Sequence, residues 1–166
     1  PWLFASWIGG IIAVAVIGKF EYMLESIIAL AAFIPVIIGM GGNIGTQSST
    51  IIVRGMATGR IEIGSEMKIL LKEIRVGMIL GVLYGLMLGV FANFRFMDAH
   101  PMLGLVVGLS ICCSMLIATA VGTFTPLVLR KLDIDPAIAT GPFVTTSIDI
   151  LGVLLYFVIA GYFLTI

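Results

Sequence analysis

The chain has 166 residues, 60% hydrophobic and only 11% charged, with nine basic and nine acidic side chains that cancel. Soluble domains usually carry about a quarter charged residues, so this composition excludes a water-clad globule. A net charge of zero gives no electrostatic reason to expect nucleic acid as a partner. The mean hydropathy of +1.21 and the long apolar runs indicate an all-helical, multi-pass membrane protein in contact with lipid.

Five blocks reach membrane length, roughly 20 residues for an untilted helix. They run from about Trp2 to Ile17, Ser26 to Val53, Ile74 to Phe94, Met102 to Leu129 and Ala137 to Leu164. The chain opens at Pro1-Trp2 without a basic leader region, so a secretory signal is not expected. That abrupt start is the one expected of a membrane domain cut from a longer protein.

The second block contains "FIPVIIGMGGNIGTQSST", residues 33–50, in which a proline and four glycines interrupt apolar sequence. Asn43, Thr46, Gln47 and Thr50 fall at i, i+3, i+4 and i+7 and so share one helix face. Gly39, Gly41, Gly42 and Gly45 let the backbone bend or a neighbour approach closely. Polar groups at membrane depth are tolerated only against protein or a water-filled cavity. The face is therefore either a set of interhelical hydrogen bonds or a polar pore lining. The glycine spacing does not satisfy the dinucleotide pattern G-x-G-x-x-G, and no phosphate-loop lysine follows.

Between the second and third blocks, "IEIGSEMKILLKEIR" reads as an amphipathic lead-in, with Met67, Leu70, Leu71 and Ile74 at helical spacing. The third block repeats glycine at 77, 81, 85 and 89, which permits close helix packing. Cys112 and Cys113, adjacent in the fourth block, lack the separation that a zinc site requires and read as packing residues. His100 lies beside Pro101 in a loop and reads as a surface residue. Seven of the nine basic residues (Arg54, Arg60, Lys68, Lys72, Arg75, Arg130, Lys131) fall on one side of the five-block arrangement. Lys19 and Arg95 fall on the other. The positive-inside rule then puts the amino terminus in the cytoplasm and the carboxyl terminus outside, across the cell membrane.

Asp149, in "DPAIATGPFVTTSIDILGVLLYF", is the acidic residue set well inside an apolar block. It lies roughly 18 Å along the fifth block at 1.5 Å per residue, near the midplane. A carboxylate there costs at least about 2.5–3.5 kcal/mol and so should face a cavity or a partner. Thr145 and Thr146 precede it by about a turn, Gly152 follows, and Gly141-Pro142 interrupts the helix two turns before. Every candidate ligand is an oxygen, the set that Mg²⁺ or Ca²⁺ prefers. A cation site, a protonated hydrogen-bonded acid and an internal salt bridge are the readings open to Asp149. A twofold dimer would double the carboxylate to match one divalent ion.

The sequence resembles the membrane domain of the MgtE family of magnesium channels or transporters, through "PVIIGMGGNIGTQSSTIIVRG" and "DPAIATGPFVTTSIDILGVLLYF" in that order. The resemblance implies a homodimer that carries Mg²⁺ along its subunit interface, lined by the second and fifth helices. It places Asp149 on the family's central magnesium-binding aspartate. Asn43 and Gln47 fall on its pore-lining amides, and Asp135 on an acidic position at the cytoplasmic mouth. Thr145 and Gly141 join the expected metal ligands. Thr46, Gly45, Thr146 and Gly152 join the expected pore lining. Some family members carry asparagine just before the fifth-helix proline, where this chain has Gly141. Full-length members also carry cytoplasmic regulatory domains, so residues 1–166 are expected to form a single pore domain without its own closure. An ion-coupled transporter and a non-transporting assembly subunit are the rival readings. An intramembrane aspartyl hydrolase would need a second acid group, so no enzymatic activity is expected.

Overall fold

The computed structural model describes residues 2–61 and 66–164, the side chains of Trp2, Glu66, Ile138 and Ala139 excepted. The helices are α1 (Trp2–Lys19), α2 (Glu21–Ser26), α3 (Ala29–Ala57), α4 (Glu66–Phe96), α5 (Leu103–Lys131) and α6 (Pro136–Leu164). Four of them, α3 to α6, are long and apolar enough to cross a membrane, and α1 is a shorter apolar helix. At 29–31 residues, the long helices extend about 45 Å at 1.5 Å per residue. That exceeds the roughly 30 Å hydrocarbon core, so they tilt or project into the headgroups.

The proline and glycines of the second block do not end the helix: α3 runs from Ala29 to Ala57 through Pro35 and all four glycines. Membrane helices tolerate an internal proline when neighbours hold the chain in place. The short α2 also goes beyond the five expected blocks, and it turns α1 into α3 as Phe20 stacks on Phe157 at 4.7 Å. On the other side, the lead-in from Glu66 is continuous with α4. Residues 62–65 of that lead-in lie outside the described residues. Met67 and Leu71 are exposed, whereas Leu70 and Ile74 are partly buried.

The central helix is α5, which packs on α3, α4 and α6; α1 rests on α6. The glycine stripe of α4 meets α5 along its length. A Cβ added at Gly81 would come 2.9 Å from the Cys112 carbonyl, and one at Gly85 would come 2.6 Å from the Gly108 carbonyl. One at Gly89 would come 2.8 Å from the Gly104 carbonyl. Backbones this close exclude any side chain, and dispersion between them replaces a hydrophobic drive that lipid cannot supply. Across the bundle, Tyr156 is fully buried and its hydroxyl donates to the Leu30 carbonyl at 3.0 Å, tying α6 to α3.

Gly85→Ala must push α4 off α5, an overpacking cost of about 1–3 kcal/mol. Its unfolding midpoint in detergent should drop accordingly. Gly18→Ala, where a methyl meets nothing within 4 Å, should lose no stability in the same assay.

Candidate functional site

In α3, two of the glycines lie on the packed face and four polar residues on the exposed one. Gly41 and Gly45 are buried, and a Cβ at Gly41 would lie 2.9 Å from Ile148 Cγ2 and from Ser114 Oγ. Gly45 lets α5 and α6 approach, with Ile148 and the Ala118 carbonyl against it. Opposite them, Asn43, Thr46, Gln47 and Thr50 are all exposed in the single chain. The Thr50 hydroxyl donates to the Thr46 carbonyl at 2.8 Å, so it is satisfied within the helix. The Asn43 and Gln47 amides make no hydrogen bond among the described residues.

The exposed face opens on two grooves, because Thr46 and Gln47 point about 100° apart around a helix of 3.6 residues per turn. Asn43 and Gln47 border a recess of about 380 Å³ shared with Leu80 and Tyr84 of α4 and Met115 of α5. Thr46 and Thr50 border another of about 330 Å³, closed by Thr140 and Gly141 at the start of α6.

Asp149 sits in a third recess of about 160 Å³ between α6 and α1. Thr145 and Thr146 join it from α6, and α1 contributes Ser6, Gly9, Gly10 and Ala13. Gly9 is needed there because a Cβ would collide with the Thr146 methyl. Asp149 is half-buried and has no ion pair or hydrogen bond among the described residues. The salt-bridge reading therefore finds no partner there. The Thr145 hydroxyl donates to the carbonyls of Gly141 at 3.1 Å and Pro142 at 3.3 Å. That bond holds the hydroxyl against its own helix. No cluster of three His, Cys, Asp or Glu residues occurs among the described residues. Among the described residues, the recess sets the Asp149 carboxylate beside the hydroxyl-bearing Ser6, Thr145 and Thr146.

Three expected site residues have clear structural tasks. Gly152 is buried against Ser114 of α5 and Ile37 of α3, with 3.2 Å between a Cβ there and Ser114 Oγ. It and Gly45 are packing positions and border none of the three recesses. Asp135 is exposed, and its Oδ1 accepts the Ala137 N–H at 2.9 Å, capping α6 ahead of Pro136. An aspartate N-cap followed by proline at the first helical position is a favoured helix start.

Other site residues escaped the sequence reading. Ser6, Gly9, Gly10 and Ala13 recur at i, i+3, i+4 and i+7, a small-residue stripe that is visible in the first block but says nothing of what it meets. Tyr84 faces the α3 amides across their recess. Glu73 is buried in the lead-in helix, where its Oε2 accepts from Ser48 Oγ at 3.4 Å. Ser110, Ser114 and Thr123 of α5 have buried hydroxyls without a hydrogen-bond partner among the described residues.

Asp135→Ala should destabilise the start of α6 by about 1 kcal/mol, read as a lowered unfolding midpoint. Asp135→Asn keeps a capping oxygen and should unfold with the unchanged protein.

A family model described as a divalent cation transporter, MgtE, matches residues 34–159. The chain is 36% identical over 159 residues to a protein of Thermus thermophilus named magnesium transporter MgtE, covering 96% of this chain and 35% of that protein. It is 35% identical over 164 residues to the protein of that name in Bacillus subtilis, covering 99% of this chain and 36% of that one. The chain thus spans about a third of the length of the curated relatives it matches.

Proposed function

Since the chain belongs to the MgtE family of divalent cation transporters, a multi-pass membrane family and not one of enzymes, we propose that it carries Mg²⁺ across the cell membrane. The path is a pore between two copies of the chain, and Asp149 of each copy binds the ion. The observation that carries this reading is the exposed α3 face with its unpartnered Asn43 and Gln47 amides. Hydrocarbon cannot satisfy such groups, each costing several kcal/mol if left bare. A second copy enclosing water would satisfy them. Two Asp149 carboxylates then match the two positive charges of one ion.

Magnesium gives up water reluctantly, so the ion travels largely hydrated and meets the chain through its water shell. The Asn43 and Gln47 amides accept from and donate to that shell, while Thr46, Thr146 and the backbone around Gly141 and Thr145 supply further oxygens. Gly45 and Gly152 act at one remove, by letting α3, α5 and α6 close up behind the lining. Asp135 adds negative charge at the cytoplasmic mouth. In this arrangement α1 makes a fifth crossing, with the amino terminus inside and the carboxyl terminus outside. Regulation resides in parts of the longer protein beyond this stretch. Inward flow follows the ion gradient and the membrane potential, about 2.3 kcal/mol per charge per 100 mV.

The test is Mg²⁺ uptake into proteoliposomes at a fixed potential. Asp149→Asn and Asp149→Ala should each lose uptake by at least about tenfold, as expected when a paired buried charge is removed, with the dimer intact by size. Uptake by Asp149→Ala at the unchanged rate would reject the assignment. Uptake that tracks an imposed proton or sodium gradient would replace the pore with a coupled transporter.

A further inference from the structure

Helix α3 ends in a tight reversal. Ala57 is its last residue, Thr58 the cap, and Gly59 takes a positive φ of 68°. The Arg60 N–H donates to the Gly55 carbonyl at 2.9 Å, and the Gly59 N–H to the Met56 carbonyl at 3.2 Å. These paired bonds form a Schellman closure, in which glycine is favoured at the left-handed position. The reversal folds Ile61 over Gly55, whose missing side chain makes room for it: a Cβ there would lie 2.6 Å from Ile61 Cδ1. Arg60 is thereby returned to the cavity that Arg54 borders from the last turn of α3.

That cavity, about 390 Å³, lies between the end of α3 and the start of α4. Arg54, Arg60 and Lys72 border it, all three exposed. Ile51 and Ile61 stand among its apolar walls, and the buried Glu73 carboxylate contributes one negative charge. Three cations less one carboxylate leave two net positive charges over an apolar floor. None of the three cations makes an ion pair among the described residues.

We propose that this cavity binds the phosphate headgroup of an anionic phospholipid. Cations and isoleucines side by side match a molecule that is itself anionic at one end and apolar at the other. The phosphate meets the Arg54 and Arg60 guanidiniums, whose planar forks suit phosphate oxygens, and Lys72 adds a point charge. The glycerol carbons and first methylenes lie on the isoleucines. The site stands at the end of a membrane-length helix, where lipid headgroups are found, and a free phosphate ion would gain nothing from the apolar walls. The inference does not depend on Asp149 or on any ion path.

Native mass spectrometry of the detergent-purified protein, titrated with phosphatidylglycerol and phosphatidylcholine of matched chains, tests it. Phosphatidylglycerol should bind at least about tenfold more tightly. Arg54→Gln, Arg60→Gln and Lys72→Gln should each weaken it by about fivefold, the effect of one cation at a membrane surface. Glu73→Gln, which removes the opposing charge, should tighten it. Lys19→Gln at the far end of the bundle should change nothing. Equal binding of the two lipids would overturn the proposal, as would cation variants that bind like the unchanged protein. Displacement of the lipid by millimolar inorganic phosphate would make the cavity a soluble-anion site and overturn it too.

Discussion

Hydrocarbon offers no hydrogen bonds, and most of this architecture follows from where the chain places groups that need them. Helix α3 shows both placements. Gly41 and Gly45 are buried against α5 and α6, while Asn43, Thr46, Gln47 and Thr50 lie on the exposed side. Thr50 solves its need locally by bonding the carbonyl a turn back, as hydroxyls on membrane helices often do. An amide cannot satisfy both its donors and its acceptor that way. Asn43 and Gln47 therefore demand something outside the single chain, and so does the half-buried Asp149 carboxylate.

The remainder of the bundle holds those groups in place with very little polar chemistry. Helix α5 is its axis, and the α4 contact is backbone on backbone at Gly81, Gly85 and Gly89. The α3–α6 contact combines Gly41, Gly45 and Gly152 with the Ile148 side chain and the Tyr156–Leu30 hydrogen bond. Small residues thus fix helix separation to within a methyl group. This frame positions the α3 polar face and Asp149 on α6 without any side chain having to reach for its place. By contrast, α1 packs mainly on α6. The wall of the Asp149 recess formed by Ser6 and Gly9 therefore hangs on one neighbour.

Much of this was legible in the amino-acid order because long apolar blocks leave few alternatives. The starts and ends of α5 and α6 fall within two residues of those read from hydropathy. The shared face of Asn43, Thr46, Gln47 and Thr50 follows from 3.6-residue periodicity alone. Other features depend on contacts that a single sequence does not specify. The glycines of α3 fit a bend or a close approach equally well; the fold uses Gly41 and Gly45 for approach, and the helix continues through Pro35. Gly45 stands beside Thr46 and Gly152 about a turn from Asp149 in sequence, but both turn inward in space. Asp135 carries the charge of a mouth residue, yet one of its oxygens is occupied in capping α6. Helical spacing in the lead-in segment does not single out Glu73, which is buried where α3 packs against the start of α4. The recess around Asp149 was half visible, since no periodicity in the first block tells which helix its small residues will meet.

The central claim is that the α3 polar face is completed by a second copy of the chain. Cross-linking in lipid bilayers tests it most directly, using a short bifunctional thiol reagent on protein whose Cys112 and Cys113 are replaced by serine. A cysteine at Asn43 should yield covalent dimers, and one at Leu86, exposed on α4, should leave single chains. Dimers through position 86 with none through position 43 would contradict the account, because the amides would then face something other than their own copy.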